Sequence, residues 1–209
     1  MARPIEIELI MDVICPWCYL GHAHLKKAMK AREDQYTFNI SIKPFLLYDN
    51  IPKGGVAKGD FKGNRRPGMG RILLQEAKDI GIEIDYKKIE RIPNSLAAHR
   101  LLYLISDRQK QHKLSELLFE SYFSEGGDVE GTEALVELAQ KAGVEAETIQ
   151  SFRESTQGQD EVRQLIEVYK EAGITAVPAF RFNGSEHHIQ GVQQTEAFIR
   201  YFDRMQKRD

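Results

Sequence analysis

Cys15 and Cys18 stand three apart in Cys15-Pro16-Trp17-Cys18, and they are the only two cysteines in 209 residues. Two thiols at that spacing, directly after a strand and opening a helix, are a redox signal when the strand and helix belong to a βαβ unit. Cys15 would lie at the helix start, where unpaired backbone N–H groups and the positive end of the helix dipole favour an anion, here a thiolate. Pro16 suits the first helical position, because its missing N–H is not needed there. One helical turn then brings Cys18 back over the same end, within disulfide reach. Cys15 is expected to be the exposed nucleophile and Cys18 the more buried resolving thiol. A helix terminus supplies roughly 2 kcal/mol towards the thiolate, whereas the most oxidising pairs need roughly 7 kcal/mol. That extreme would require further hydrogen bonds to the sulfur.

The same thiols could hold a metal, and His22 and His24 are close enough in sequence to suggest a knuckle. A helix advances about 100° per residue, so those two rings point about 200° apart. They do not converge with the cysteines on one ion, and no metal is expected. Val177-Pro178 is the second notable element. A proline that begins a strand after a helix is either an edge proline or a cis proline at a tight bend.

The elements that would position these residues are legible in the hydrophobic pattern. Ile5, Ile7 and Leu9 alternate with Glu6 and Glu8, and Ile10 and Val13 add apolar character to the other face, as in a strand covered on both sides. A helix is expected from about Pro16 to Arg32. Residues 37–43 alternate, with Phe38, Ile40 and Ile42 on one face. This is a βαβ unit whose strands should be parallel.

Residues 49–68 read as a long glycine-rich loop, with Gly54, Gly55, Gly59, Gly63 and Gly68 beside Pro52 and Pro67. Lys53, Lys58, Lys62, Arg65 and Arg66 against Asp49 and Asp60 give it a charge of +3, leaving −5 for the rest of a chain of net charge −2. Loops of this length inside compact domains are often lids or binding loops, and a solvated surface loop is the plain alternative.

Residues 69–172 are nearly all helix-patterned. Asn94-Ser95 precedes a helix from Leu96, and Thr132 stands as a cap before Leu135, Leu138, Ala139 and Ala142. Val162, Leu165, Ile166 and Tyr169 form a further apolar stripe. Gly143 and Gly173 sit where C-terminal caps belong. The chain then returns to β: residues 176–182 lead into Asn183-Gly184, a hairpin signal, followed by a short strand and a final helix bearing Phe198, Ile199, Phe202 and Met205.

Composition excludes several classes. Lys and Arg total 29 against 31 Asp and Glu, which argues against nucleic acid or an anionic membrane as partner. Two cysteines cannot build the disulfide framework of a small secreted domain. No stretch approaches the about 20 apolar residues of a spanning helix, and no signal-peptide core is present. The expected location is cytoplasmic.

The segment Asp12-Val-Ile-Cys-Pro-Trp-Cys-Tyr-Leu-Gly21 resembles the FrnE-like branch of the DsbA-like thioredoxin superfamily. So do Pro93-Asn-Ser-Leu-Ala-Ala-His-Arg-Leu101, Leu118-Phe-Glu-Ser-Tyr-Phe-Ser-Glu-Gly126 and Gly173-Ile-Thr-Ala-Val-Pro-Ala-Phe180. The resemblance covers nearly the whole chain. It implies an α/β thioredoxin fold (βαβ … ββα) from residues 1–64 and 158–209, with a large helical domain inserted at 65–157. It implies that Pro178 is cis and lies beside Cys15, and that Pro16, Trp17 and Pro178 support the active site. It implies that the Val177 backbone pairs with an extended substrate by strand addition. It sets the helix of His99 and Arg100 beside the substrate groove, with His99 a groove residue and Arg100 making local hydrogen bonds.

The activity so implied is thiol–disulfide exchange or isomerisation by Cys15 and Cys18 on disulfide- or thiol-containing protein or peptide substrates. No cofactor is needed, glutathione is a possible co-substrate, and the chain would be a monomer or homodimer. Two other readings stand beside it. One is a glutathione-dependent small-molecule isomerase or transferase, akin to 2-hydroxychromene-2-carboxylate isomerase and kappa-class glutathione transferase, with a groove floored by Asn94, Val177 and the basic loop. Those relatives carry Ser where this chain has Cys15, which argues for thiol chemistry instead. The other is a non-catalytic peptide-binding or scaffold protein.

Overall fold

A computed structural model of the chain describes residues 3–62 and 68–205. Gly63, Arg65, Arg66 and Pro67 of the basic loop, and the 64/65 domain boundary, lie outside the described residues.

The first βαβ unit forms as its pattern predicts. Strand β1 (Arg3–Met11) pairs in parallel with β2 (Tyr36–Pro44), with Ile7 opposite Ile40 and Leu9 opposite Ile42. Helix α1 (Pro16–Lys30) connects them. Leu9, Ile10 and Met11 are all fully buried, so β1 is covered on both faces.

The C-terminal elements complete the sheet. Strand β5 (Ala179–Phe182) runs antiparallel to β1, and β6 (His188–Gln190) runs antiparallel to β5. The sheet order is β2-β1-β5-β6; β3 (Val56–Ala57) and β4 (Arg91–Ile92) belong to a separate ladder. Asn183 and Gly184 both take positive φ (49° and 66°) in a tight turn that the Ser185 N–H closes on the Phe182 carbonyl, and the chain continues through His187 before β6 begins. Helix α8 (Thr195–Met205) packs against α1, and its Phe198 and Phe202 meet Phe180 and Phe182 of β5.

Among the described residues between β2 and β5 lie six α-helices: α2 (Met69–Ile80), α3 (Leu96–Leu104), α4 (Arg108–Glu120), α5 (Thr132–Lys141), α6 (Ala146–Glu154) and α7 (Gln159–Glu171). Helices α3, α4 and α7 pack on β2, so the helical segment shares one continuous core with the sheet. The stripes read from the sequence face that core: Val162, Ile166 and Tyr169 on α7, and Leu135, Leu138 and Ala139 on α5, are buried.

Three local expectations change. Thr132 is the first residue of α5 and not its cap; the Asp128 carboxylate instead accepts the N–H groups of Glu130 and Gly131 just ahead of the helix. Residues 82–95 are not helical. Gly81, at φ 87°, ends α2 by returning its N–H to Ala77, and the chain then runs irregularly, through a turn closed by the Lys88 N–H on the Asp85 carbonyl, into the short strand β4 (Arg91–Ile92). The basic loop is likewise tied down, because its strand β3 (Val56–Ala57) pairs with β4. A Cβ on Gly55 would stand 2.6 Å from the Ile92 carbonyl, so this close approach requires glycine. Helix α4 continues into a π-helical turn, Ser121–Glu125.

Among the described residues, no helix is long and apolar enough to cross a membrane.

Candidate active site

Strand β1 delivers its chain directly to the start of α1. The backbone N–H of Cys15 donates to the Asp12 carbonyl at 3.0 Å, closing the turn between strand and helix. Cys15 is the N-cap residue, in extended conformation, and Pro16 occupies the first helical turn. The Cys15 sulfur accepts the backbone N–H of Cys18 at 3.3 Å, which is the side-chain capping bond that a Ser or Asp makes elsewhere. Both thiols are free.

The second wall of the site comes from far along the sequence. The Val177–Pro178 peptide bond is cis. The Cys15 thiol donates to the Val177 carbonyl at 3.7 Å. Gly21, two turns into α1, lets Pro178 approach: a Cβ there would stand 2.8 Å from Pro178 Cγ. Cys15, Cys18, Val177 and Pro178 are therefore brought together, and Pro16 and Trp17 are half-buried at the rim.

Cys18 is the more buried thiol, as expected, but Cys15 is not exposed. Cys15 is only 2% exposed, hardly more than Cys18 at 0%. Tyr86, from the turn after α2, lies close enough that a Cys15 thiolate helps hold its hydroxyl protonated; burial first, then that charge, pushes the Tyr86 pKa up to about 12. The backbone carbonyl of Tyr86 in turn accepts the Lys58 ammonium of the basic loop.

The two thiols differ in their surroundings. Burial pushes the Cys18 thiol well above its usual range, and the Cys15 sulfur and the Asp12 carboxylate add to the shift. Cys18 is thus held protonated at neutral pH.

Asp12 was legible in the sequence as part of the cysteine motif but not as a site residue. It is fully buried beneath Cys18. Its Oδ2 accepts the Leu47 N–H at 2.7 Å, and its Oδ1 accepts the Ile14 N–H at 3.3 Å. His99 Nε2 lies 3.3 Å from the same Oδ1. His99 is 1% exposed, so it faces this buried carboxylate and not an open groove, and its Nδ1 is buried without a hydrogen-bond partner.

Asn94 is also engaged within the protein. Its amide donates to the Ile51 carbonyl at 2.6 Å, its side-chain oxygen accepts the Leu96 N–H at 3.0 Å, and its backbone N–H donates to Glu130. It caps α3 and pins the basic loop. Arg100 donates to the carbonyls of Phe152, Ser155 and Gln157, the local role expected of it. A cavity of about 710 Å³ lined by Lys53, Lys88, Arg91, Tyr122 and Glu130, among others, includes none of the cysteine-site residues.

Gln190 closes the returning strand β6. Its side-chain oxygen accepts the N–H groups of both Thr175 and Ala176 at 2.9 Å, and its amide donates to the Gly173 carbonyl. The next residue, Gly191, donates its N–H to the Pro178 carbonyl at 2.7 Å. Together they hold the segment that presents Val177. Its bonds to Gly173, Thr175 and Ala176 join positions 14 to 17 residues apart, so the contact carries no local sequence signal.

A four-stranded mixed sheet, a strand-to-helix turn carrying Cys-x-x-Cys, and a proline segment across from the first cysteine define a thioredoxin-fold protein of the DsbA-like kind. The chain belongs to the DSBA-like thioredoxin domain family, whose model matches residues 6–203. It is 25% identical over 178 residues, 84% of this chain and 86% of the other, to the uncharacterized protein YwbO of Bacillus subtilis (strain 168). Its fold is similar to that of a probable DsbA oxidoreductase, SCO1869, from Streptomyces coelicolor, with a TM-score of 0.79, 25% identity, and coverage of 96% of this chain and 89% of that one. A putative protein disulfide isomerase from Nitrosomonas europaea shares the fold at a TM-score of 0.72 and 14% identity, covering 99% of each chain.

Proposed function

We propose that the protein is a thiol–disulfide oxidoreductase acting through Cys15 and Cys18. The observation that carries this reading is the position of the Cys15 sulfur, at the N-cap of α1, between the Cys18 N–H and the Val177 carbonyl. The Cys15 thiolate attacks one sulfur of a substrate disulfide. The Cys15–substrate bond forms as the substrate S–S bond breaks, and the first substrate thiolate leaves and takes up a proton. Cys18 then loses its proton and attacks the Cys15 sulfur, which releases the second substrate thiol and leaves Cys15–Cys18 oxidised. Two electrons pass from the protein to the substrate, and the reverse sequence oxidises a dithiol.

The substrate backbone is read by pairing with the Val177 main chain, a contact that tolerates many sequences. Disulfide-containing proteins, peptides and glutathione disulfide fit that description. In a reducing cytoplasm the pair rests as the dithiol, so reduction or isomerisation is the favoured direction. The protonated state of Cys18 supports its assignment as the resolving thiol, because it becomes nucleophilic only once Cys15 is engaged.

The test is to incubate single-cysteine variants with a peptide disulfide and read adducts by intact mass. Cys18→Ser is expected to accumulate the mixed disulfide, and Cys15→Ser to form none and lose disulfide-reductase activity. Full activity in Cys15→Ser would sink the reading. Equilibration in glutathione buffers then gives the direction: a potential near about −270 mV marks a reductant and one near about −120 mV an oxidant.

A further inference from the structure

His22 and His24 indeed turn apart on α1, and each finds a partner. His24 Nδ1 accepts the Thr195 N–H at the start of α8. His22 Nε2 lies 2.8 Å from His112 Nε2, on α4. Four residues further along α4, Glu116 presents its carboxylate to the same place, because i and i+4 share a helix face. The three potential ligand atoms all lie within 4.8 Å of one another.

We propose that His22, His112 and Glu116 form a binding site for one borderline divalent transition-metal ion of the Zn²⁺ class, bridging α1 to α4. Two imidazoles and one carboxylate are a Zn²⁺-type ligand set that leaves a fourth position for water. Two ring nitrogens on one tetrahedral ion stand about 3.3 Å apart, so the rings need to separate by roughly half an ångström. Glu116 Oε1 is buried and receives no hydrogen bond of good geometry. The groups opposing a cation here are the Lys26 ammonium, 2.5 Å from Oε1, and Lys113, 3.7 Å from Oε2. Both lysine side chains are more than half exposed, at 60% and 54%, and can turn to solvent, whereas His22 is only 3% exposed and stays in place. His22 is one helical turn from Cys18, so the ion would brace the helix that carries both thiols.

The proposal is tested on untagged protein in which Cys15→Ser and Cys18→Ser remove the competing thiol ligands, so the outcome is independent of the redox reading. Calorimetric titration with Zn²⁺, and with Co²⁺ followed by its visible absorption, is expected to give one equivalent bound. His112→Ala and Glu116→Gln are each expected to weaken that binding at least about tenfold. Zn²⁺ should raise the melting temperature of the double-serine protein and not that of its His112→Ala derivative, whose own melting curve shows that it folds. Absence of stoichiometric binding would overturn the proposal. So would binding that persists in His112→Ala and disappears when His187 and His188 on the hairpin are replaced.

Discussion

Asp12 and His99 face one another in the interior beneath the two thiols, 3.3 Å apart and 0% and 1% exposed. The pair ties the end of β1 to α3, and the Asp12 carboxylate also fixes the Leu47 N–H. A buried acceptor with these partners is structural and electrostatic at once.

Its electrostatic part is measurable. Burial is the main reason the Cys18 thiol resists ionisation, and Asp12 is one of the smaller contributors. In a Cys15→Ser background, Asp12→Asn is expected to let Cys18 ionise at lower pH than the parent, read from the ultraviolet absorbance of the thiolate. Asp12→Ala, which strands the Leu47 and Ile14 N–H groups, should cost about 3 kcal/mol in urea unfolding.

Gly21→Ala tests the close approach of Pro178 to α1. The added methyl would stand 2.8 Å from Pro178 Cγ, inside contact distance, so the Val177-Pro178 segment must retreat. Destabilisation of about 1–3 kcal/mol by urea unfolding is expected. Disulfide-reductase turnover should fall at least about tenfold, as a displaced positioning group predicts.

Gln190→Ala removes the acceptor for two N–H groups next to Val177. Both residues are exposed, so water replaces the lost bonds and stability should change by no more than about 1 kcal/mol. Substrate KM should rise several-fold while Cys15 alkylation stays near the parent rate, because the thiol is untouched and the strand-pairing segment is loosened.

His24 sets a pH dependence. Burial lowers it from its ordinary 6.5, with Thr195 donating to its Nδ1. Below pH 6.5 the unfolded chain binds a proton that the folded chain refuses, so stability present above that pH is lost as pH falls. One such proton corresponds to about 1.4 kcal/mol per pH unit at most. Urea unfolding at several pH values should show a shallower acid slope for His24→Asn, whose side-chain oxygen keeps an acceptor for Thr195.

Arg100→Ala is the contrasting case. Its guanidinium serves three carbonyls at the end of α6 and lies over the Phe152 ring. Loss of about 2 kcal/mol in unfolding is expected, with disulfide exchange at the parent rate.

Those differences track what a linear sequence can carry. Cys15, Cys18 and Pro178 announce themselves by local spacing, and the alternation in β1 and β2 led directly to the parallel pair. Residues 82–95 are harder to read, because a helix pattern on both sides hides an irregular segment that begins at Gly81. The burial of Cys15 is not legible locally, because Val177, which meets its sulfur, lies 162 residues away. Asp12 looked like one more acid at a strand end until the fold closed over it. His22 and His112 are 90 residues apart and meet only through the packing of α1 on α4.

The 2% exposure of Cys15 also bears on damage. A sulfur that solvent scarcely reaches is a poor target for peroxide and other small diffusing oxidants, which drive exposed thiolates irreversibly to sulfinic and sulfonic acids. In the exchange proposed above, a substrate pairing with the Val177 main chain would have to shift the cover over Cys15 to reach its sulfur. Concealment would then act as a filter on reactivity, shielding the thiol whenever no substrate is docked.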